Sequence, residues 1–150
     1  MRPVVLAFLV AACATTTSPT TTLSTGDLVD PEVQTVTLDG RELAVAVVST
    51  QEDRSQGLRG VDDLGTLDGM LFTWERDDVT SRFTMEDTLI DLDIFFFDAR
   101  GRFVDGLTMV PCAEDPCPTY GAASPYTYAL ETPAGRFADV GPGSVLDLGG

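Results

Sequence analysis

Four carboxylates, Glu86, Asp87, Asp91 and Asp93, crowd into residues 86–93 and form the chain's nearest approach to a reactive constellation. If the apolar run after them is a strand, Asp91 and Asp93 share one face with about 6.5 Å between their Cα atoms. Phe95 and Phe97 continue that face, and apolar neighbours raise a carboxyl pKa by desolvation. Paired carboxylates can work on glycosidic bonds as acid and base, which points to a hydrolase of envelope glycans. They can also hold Ca²⁺, which wants six to eight oxygens. A twelve-residue Ca²⁺ loop is ruled out because its glycine is missing, so Asp87, Asp91 and Asp93 are weak metal candidates and no cofactor is assigned. In the structural alternative, Asp93 makes hydrogen bonds at a strand end and the others face water.

Arg54 precedes this stretch and can reach back to it. A bidentate bond to Asp87 or Asp93 would fix a helix to the sheet, or the same fork would grip a ligand carboxylate. Arg54, Met85, Asp87, Thr88 and Asp93 are therefore the candidate ligand residues, and none is assigned a catalytic role. Trp74, Tyr120, Tyr126 and Tyr128 could make a sugar-stacking surface, although scattered aromatics usually serve a core.

The residues that are missing exclude more than those present. The chain has no His, no Lys and no Asn, and its nine basic residues are all Arg. Imidazole-based triads, imidazole metal sites, Schiff bases and Ser-Lys dyads are closed off. Carboxylates, Tyr and thiols are left as proton carriers, so a non-enzymatic role is favoured. Against those nine bases stand 24 acidic residues, a net charge of −15. Such a surface repels nucleic acid, whose binding needs phosphates neutralised by Lys and Arg.

The three cysteines divide by position. Cys13 ends Val10-Ala11-Ala12-Cys13, directly after the apolar run from Val4 to Ala12. That run is too short to span a bilayer, which takes about 20 residues, and fits the apolar core of a secretory signal. The four residues resemble a bacterial lipobox, in which the Cys is lipidated; acyl chains add about 0.8 kcal/mol per buried CH₂. Residues 1–12 are thus expected to be a signal peptide. Residues 13–32, rich in Thr, are expected to be a lipidated tether lifting the domain roughly 50 Å if about 15 residues extend at 3.3 Å each. Cys112 and Cys117 remain as an even pair between prolines, and in an oxidising compartment they read as a disulfide. Their four-residue spacing and the acidic Glu114 and Asp115 argue against redox chemistry.

The elements that must position these groups are short and close-spaced. Val33 to Leu38 and Arg41 to Val48 alternate around Asp39-Gly40, the pattern of a hairpin with a type I′ turn. Ser49-Thr50-Gln51-Glu52 reads as a capping box opening a helix through Leu58, stopped by Gly60 and poor in apolar surface. Strands are predicted at Gly69–Trp74, Arg82–Met85, Leu92–Phe97, Arg102–Val110, Tyr126–Thr132 and Val145–Leu148, with a helical turn through Val140. Ile94 to Phe97 is apolar on both faces, as a central strand of a layered structure must be. The expected fold is mainly β: a small antiparallel β-sandwich or barrel-like domain over residues 33–150, with one or two short peripheral helices.

From about Val33 to Leu148 the chain resembles the bacterial and archaeal family known as domain of unknown function 192. The resemblance rests on Arg54-Ser-Gln-Gly57-Leu58, Gly69-Met70-Leu71-Phe72 and Phe83-Thr-Met85. It continues through Thr88-Leu-Ile90-Asp-Leu92-Asp93-Ile94 and Leu130-Glu131-Thr-Pro133-Ala134-Gly135. It implies a compact β domain and no established activity, substrate or cofactor. Where that family commonly has Met-Lys-Asn-Thr and then Ile-Pro-Leu-Asp, this chain has Met85-Glu86-Asp87-Thr88 and Ile90-Asp91-Leu92-Asp93. An anion site built on that stretch in relatives would have its sign reversed here, though a chain without Lys or Asn is biased against those residues throughout. The resulting expectation is an exported, membrane-anchored monomer that meets an envelope component or a small ligand.

Overall fold

The computed structural model describes residues 31–149. The expected signal peptide, Cys13 and nearly all of the expected tether lie outside them.

The chain opens with β1 (Glu32–Leu38) and β2 (Arg41–Val48), joined as expected by Asp39 and Gly40. Their φ values of 52° and 77° are both positive, as a type I′ turn demands. A single short helix among the described residues, α1 (Gln51–Gln56), leads through a long loop to β3 (Gly69–Thr73). The other strands are β4 (Phe83–Thr84), β5 (Leu92–Phe97), β6 (Phe103–Met109), β7 (Thr119–Tyr120), β8 (Tyr128–Pro133) and β9 (Leu146–Asp147). The expected helical turn before Val140 is two i→i+3 turns instead, Arg136 N–H to Pro133 O and Val140 N–H to Phe137 O, both 3.1 Å.

Seven strands form one sheet in the order β6-β5-β8-β3-β2-β1-β9, while β4 and β7 pair in a second, small sheet. The fold is mainly β, as the sequence predicts, and the large sheet curls into a half-barrel. Its pairs are antiparallel with one exception: β2 and β3 run parallel, Val45 opposite Gly69 and Val48 opposite Phe72. A parallel pair needs a crossover, and residues 49–68 with α1 supply it. The open side of the curl is bridged by backbone bonds from Phe103 N–H to Ser144 O (3.0 Å) and Leu146 N–H to Gly101 O (2.8 Å).

Every residue of β5 is buried, and β5 lies between β6 and β8. Alternate side chains therefore enter separate cores. Phe95 and Phe97 join Val36, Leu38, Leu43, Val45, Leu71 and Leu130 inside the curl. Leu92, Ile94 and Phe96 join Met70, Phe72 and Ala129 on the outer face. That outer core is roofed by α1, its loop and the β4–β7 pair, with Phe83 edge-on to Phe72 at 5.1 Å and to Phe96 at 5.8 Å.

Gly40 and Gly101 both have positive φ, but they fail differently when given a side chain. A Cβ on Gly40 meets nothing within 4 Å, whereas one on Gly101 would sit 1.8 Å from the Leu146 carbonyl oxygen. Gly40→Ala is expected to cost about 1–2 kcal/mol, the left-handed penalty alone. Gly101→Ala must also push β9 away and is expected to cost more than about 3 kcal/mol. Urea unfolding of the two variants checks this, and equal losses would contradict the bridged curl.

Candidate functional site

The roof over the outer core begins at α1. Thr50 caps it by accepting from Asp53 N–H at 3.1 Å, and the Thr50 hydroxyl donates to Asp53 Oδ2 at 2.6 Å. The cap is thus one residue later than the box read from the sequence, with Asp53 rather than Glu52 as its partner. Gly57 ends the helix, its N–H bonding to Asp53 O at 2.8 Å. No residue of α1 is buried, in accord with its polar sequence. Leu58 and Val61 just after it are buried in the outer core, and within the helix itself Arg54 makes the contact with the sheet. Its guanidinium donates to the backbone oxygens of Ser49 and of Thr73, the latter at 2.8 Å, and lies over the Trp74 ring at 5.0 Å. The anticipated partners Asp87 and Asp93 are not its partners; two carbonyls and an aromatic face are.

Beneath α1 the roof leaves a cleft of about 390 Å³, within the size range of small-molecule sites. Arg54, Arg59 and Arg82 line it together with Phe72, Trp74, Phe83 and Thr88. Arg59 bonds to Glu86 at 2.7 Å and to Asp87 at 3.5 Å on the solvent side. Arg82 donates to the hydroxyl and carbonyl of Thr119 at 2.9 and 2.7 Å. Three of the nine arginines thus meet at one cleft in a chain that carries 24 acids.

Glu131 is the single acidic residue in the lining. It sits on β8 between Met70 of β3 and Ile94 of β5, at a position where the rest of that sheet face is apolar. It is 5% exposed, and no hydrogen bond contributes to the shift of its carboxyl. Burial penalises the charged form and pushes its pKa up to about 8. At neutral pH it is therefore mostly a protonated carboxyl, able to donate one hydrogen bond and accept others. A strongly perturbed group in a cleft marks a candidate functional site.

The residues singled out from the sequence fall in different places. Arg54 and Thr88 line the cleft, and Thr88 is buried. Met85 is buried in the outer core, its carbonyl accepting from Thr88 N–H and Cys112 N–H. Asp87 stands exposed on a turn with φ of 55°. Asp93 is buried and already occupied, accepting from the Thr108 hydroxyl at 2.6 Å and Gly135 N–H at 2.7 Å. Asp91 lies just before β5, exposed, in a separate depression beside Asp62, Asp63 and Arg136. Asp87, Asp91 and Asp93 therefore do not converge, and among the described residues no group of three His, Cys, Asp or Glu is placed to hold a metal. Of the aromatic candidates Trp74 lines the cleft, Tyr126 is buried with its hydroxyl on Ser81 O at 2.8 Å, and Tyr128 packs against the inner core. Cys112 and Cys117 form the expected disulfide, Cα atoms 5.6 Å apart.

Glu131 belongs to the motif Leu130-Glu131-Thr-Pro133-Ala134-Gly135, to which the sequence alone attaches no functional role. Its signal is an acid inside Tyr128–Thr132, where the residues on either side are buried.

The family DUF192, described as an uncharacterized ACR, matches residues 34–148. No curated protein matches the chain. Two crystal structures share its fold. One, from Sinorhizobium meliloti 1021 and provisionally described as a transcription regulator, is 26% identical with a TM-score of 0.71, covering 81% of this chain and 97% of its own. The other, a protein of unknown function from Novosphingobium aromaticivorans DSM 12444, is 24% identical with a TM-score of 0.68, covering 85% and 99%.

Burial of Glu131 has a consequence for stability. Between its ordinary pKa of 4.5 and about 8 the unfolded chain has released this proton while the folded one keeps it. Stability contributed here is thus complete below pH 4.5 and lost as pH rises to 8, on the order of a few kcal/mol. Glu131→Gln has no proton to lose. Urea unfolding at pH 5 and pH 8 is expected to show wild type falling relative to this variant, and parallel pH profiles would rule out the neutral buried carboxyl.

Proposed function

We propose, for a chain that belongs to the DUF192 family of uncharacterised proteins, that it is an exported, lipid-anchored, non-enzymatic module binding a small organic anion in the cleft beneath α1. The observation that carries the ligand is the convergence of Arg54, Arg59 and Arg82 around about 390 Å³ of space in an otherwise acidic protein. Arginine forks match carboxylates, and Trp74 and Phe83 offer apolar surface to the body of a ligand. The absence of His and Lys supports binding over turnover. The transcription-regulator description given to the structure from S. meliloti is not carried over to this chain as a nucleic-acid role, because 24 acids against nine bases oppose phosphate binding. Export and anchoring rest on Val10-Ala11-Ala12-Cys13 and the Thr-rich stretch after it. The tether would present the cleft outside the membrane.

Two measurements test the two halves. Expressed in a bacterium, the full chain is expected in the detergent phase of a Triton X-114 partition and Cys13→Ser in the aqueous phase; identical partitioning would remove the anchor. Cyclohexanecarboxylate, a carboxylate on an apolar ring, is expected to raise the melting temperature over chloride at equal ionic strength. Arg59→Gln should weaken that binding about tenfold, equivalent to about 1.4 kcal/mol, while costing the unliganded fold less than about 1 kcal/mol because its ion pairs are exposed. No shift with the anion would end the reading.

A further inference from the structure

The arginines account for one end of a ligand; Glu131 remains unexplained by them. Glu131 is 5% exposed and lines the cleft, and its carboxyl is not among the sealed polar atoms left unpaired. Its oxygens therefore face that space, at a register where an apolar residue would complete the outer core. Its flanking strands offer it Met70 and Ile94, neither of which can hydrogen-bond it. The open direction is the cleft, whose lining it joins.

Building on the anion-binding reading, we infer that Glu131 is a ligand-contacting residue that donates a hydrogen bond from its protonated carboxyl to a hydroxyl or ether oxygen of the bound anion, so that the ligand is a hydroxylated carboxylic acid of sugar-acid type. The ligand's carboxylate lies with the arginines, its ring against Trp74 and Phe83, and its hydroxyl oxygens toward β8. Such a site prefers the hydroxylated ligand, because a ligand without those oxygens leaves the carboxyl unpaired. Affinity depends on the proton: an ionised Glu131 still accepts from ligand hydroxyls, but it repels the ligand's carboxylate, so binding weakens when it ionises. Burial pushes this group up to about 8, so the loss falls in an accessible range.

The other groups around the cleft do not imitate that loss. Arg54 from α1, Arg59 from the loop after it and Arg82 beside β4 stay charged throughout. Glu86 and Asp87 face Arg59 from the solvent side. Tyr126 approaches through Ser81, and its pKa is raised by burial, above the range tested. β3 and β5 present no titratable side chain to Glu131.

The test compares D-galacturonate with cyclohexanecarboxylate, which keeps a six-membered ring and the carboxylate but lacks the hydroxyls, by calorimetric titration at pH 6 and pH 9.5. Galacturonate is expected to bind at least tenfold tighter at pH 6, and both acids to bind at least tenfold more weakly at pH 9.5. Glu131→Gln keeps an N–H donor that does not titrate, so its affinity for both acids should not fall at pH 9.5; Glu131→Leu should bind the two acids alike. Both acids binding equally to the wild type at pH 6, or wild-type affinity indifferent to pH, overturns the role of Glu131 and leaves the arginine-lined anion site standing. Failure of both acids to bind removes the anion site and this inference together.

Discussion

The structure depends on one constraint: β5 is apolar on both faces and must be covered on both. Curling the sheet satisfies one face, since Phe95 and Phe97 then meet Val36, Leu38 and Leu130 across the interior. The other face cannot be covered by the same sheet. It is roofed by what the crossover between the parallel strands β2 and β3 carries, and by the β4–β7 pair. A roof assembled from a polar helix and loops fits less closely than a second sheet would. The cleft is where that fit is incomplete.

That origin explains the chemistry gathered there. α1 itself has nothing buried, and Arg54 ties it to the sheet through two carbonyls and a Trp ring. Each such contact brings a cation to the roof's edge, and the floor remains a sheet face made for hydrocarbon. Glu131 sits in that floor. The arginines do not draw out its proton: burial is the cause of its shift, and no opposing charge contributes. The guanidiniums use only some of their five N–H groups each on Ser49, Thr73, Glu86, Asp87 and Thr119. Cations at the rim and a neutral acid at the wall are therefore separate features of one cleft.

The sequence made the local features plain and the long-range ones obscure. Asp39-Gly40 declares its turn because a type I′ turn admits few residues, and β5 declares its centrality because nothing polar interrupts it until its ends. The parallel pairing of β2 with β3 is not written locally: each strand reads the same whichever direction its neighbour runs. The expectation that Asp91 and Asp93 share a face failed for a similar reason. Asp91 precedes the first paired residue, Leu92, so strand periodicity does not apply to it. Asp93 does lie on the strand, but Gly135 N–H and the Thr108 hydroxyl, distant in sequence, turned a candidate ligand group into a structural one. Of the two roles the sequence leaves open for Arg54, the helix-fastening one is seen, but through carbonyl oxygens in place of Asp87 or Asp93, and carbonyl acceptors leave no mark in a sequence. Glu131 was the hardest to see, because an acid in a strand ordinarily faces water.

The acidic departures at Glu86 and Asp87 take on meaning in this light. They do not line the cleft; they hold Arg59 from its outer side. Both carboxylates are well exposed, and exposed ion pairs are worth about 0–1 kcal/mol each. An arginine so held is kept near the rim without being strongly committed. A ligand carboxylate inside the cleft would compete with those weakly held surface partners for the same guanidinium. The sign reversal relative to the commoner Lys-Asn pattern therefore falls on the solvent side of the guanidinium and leaves the interior of the cleft cationic.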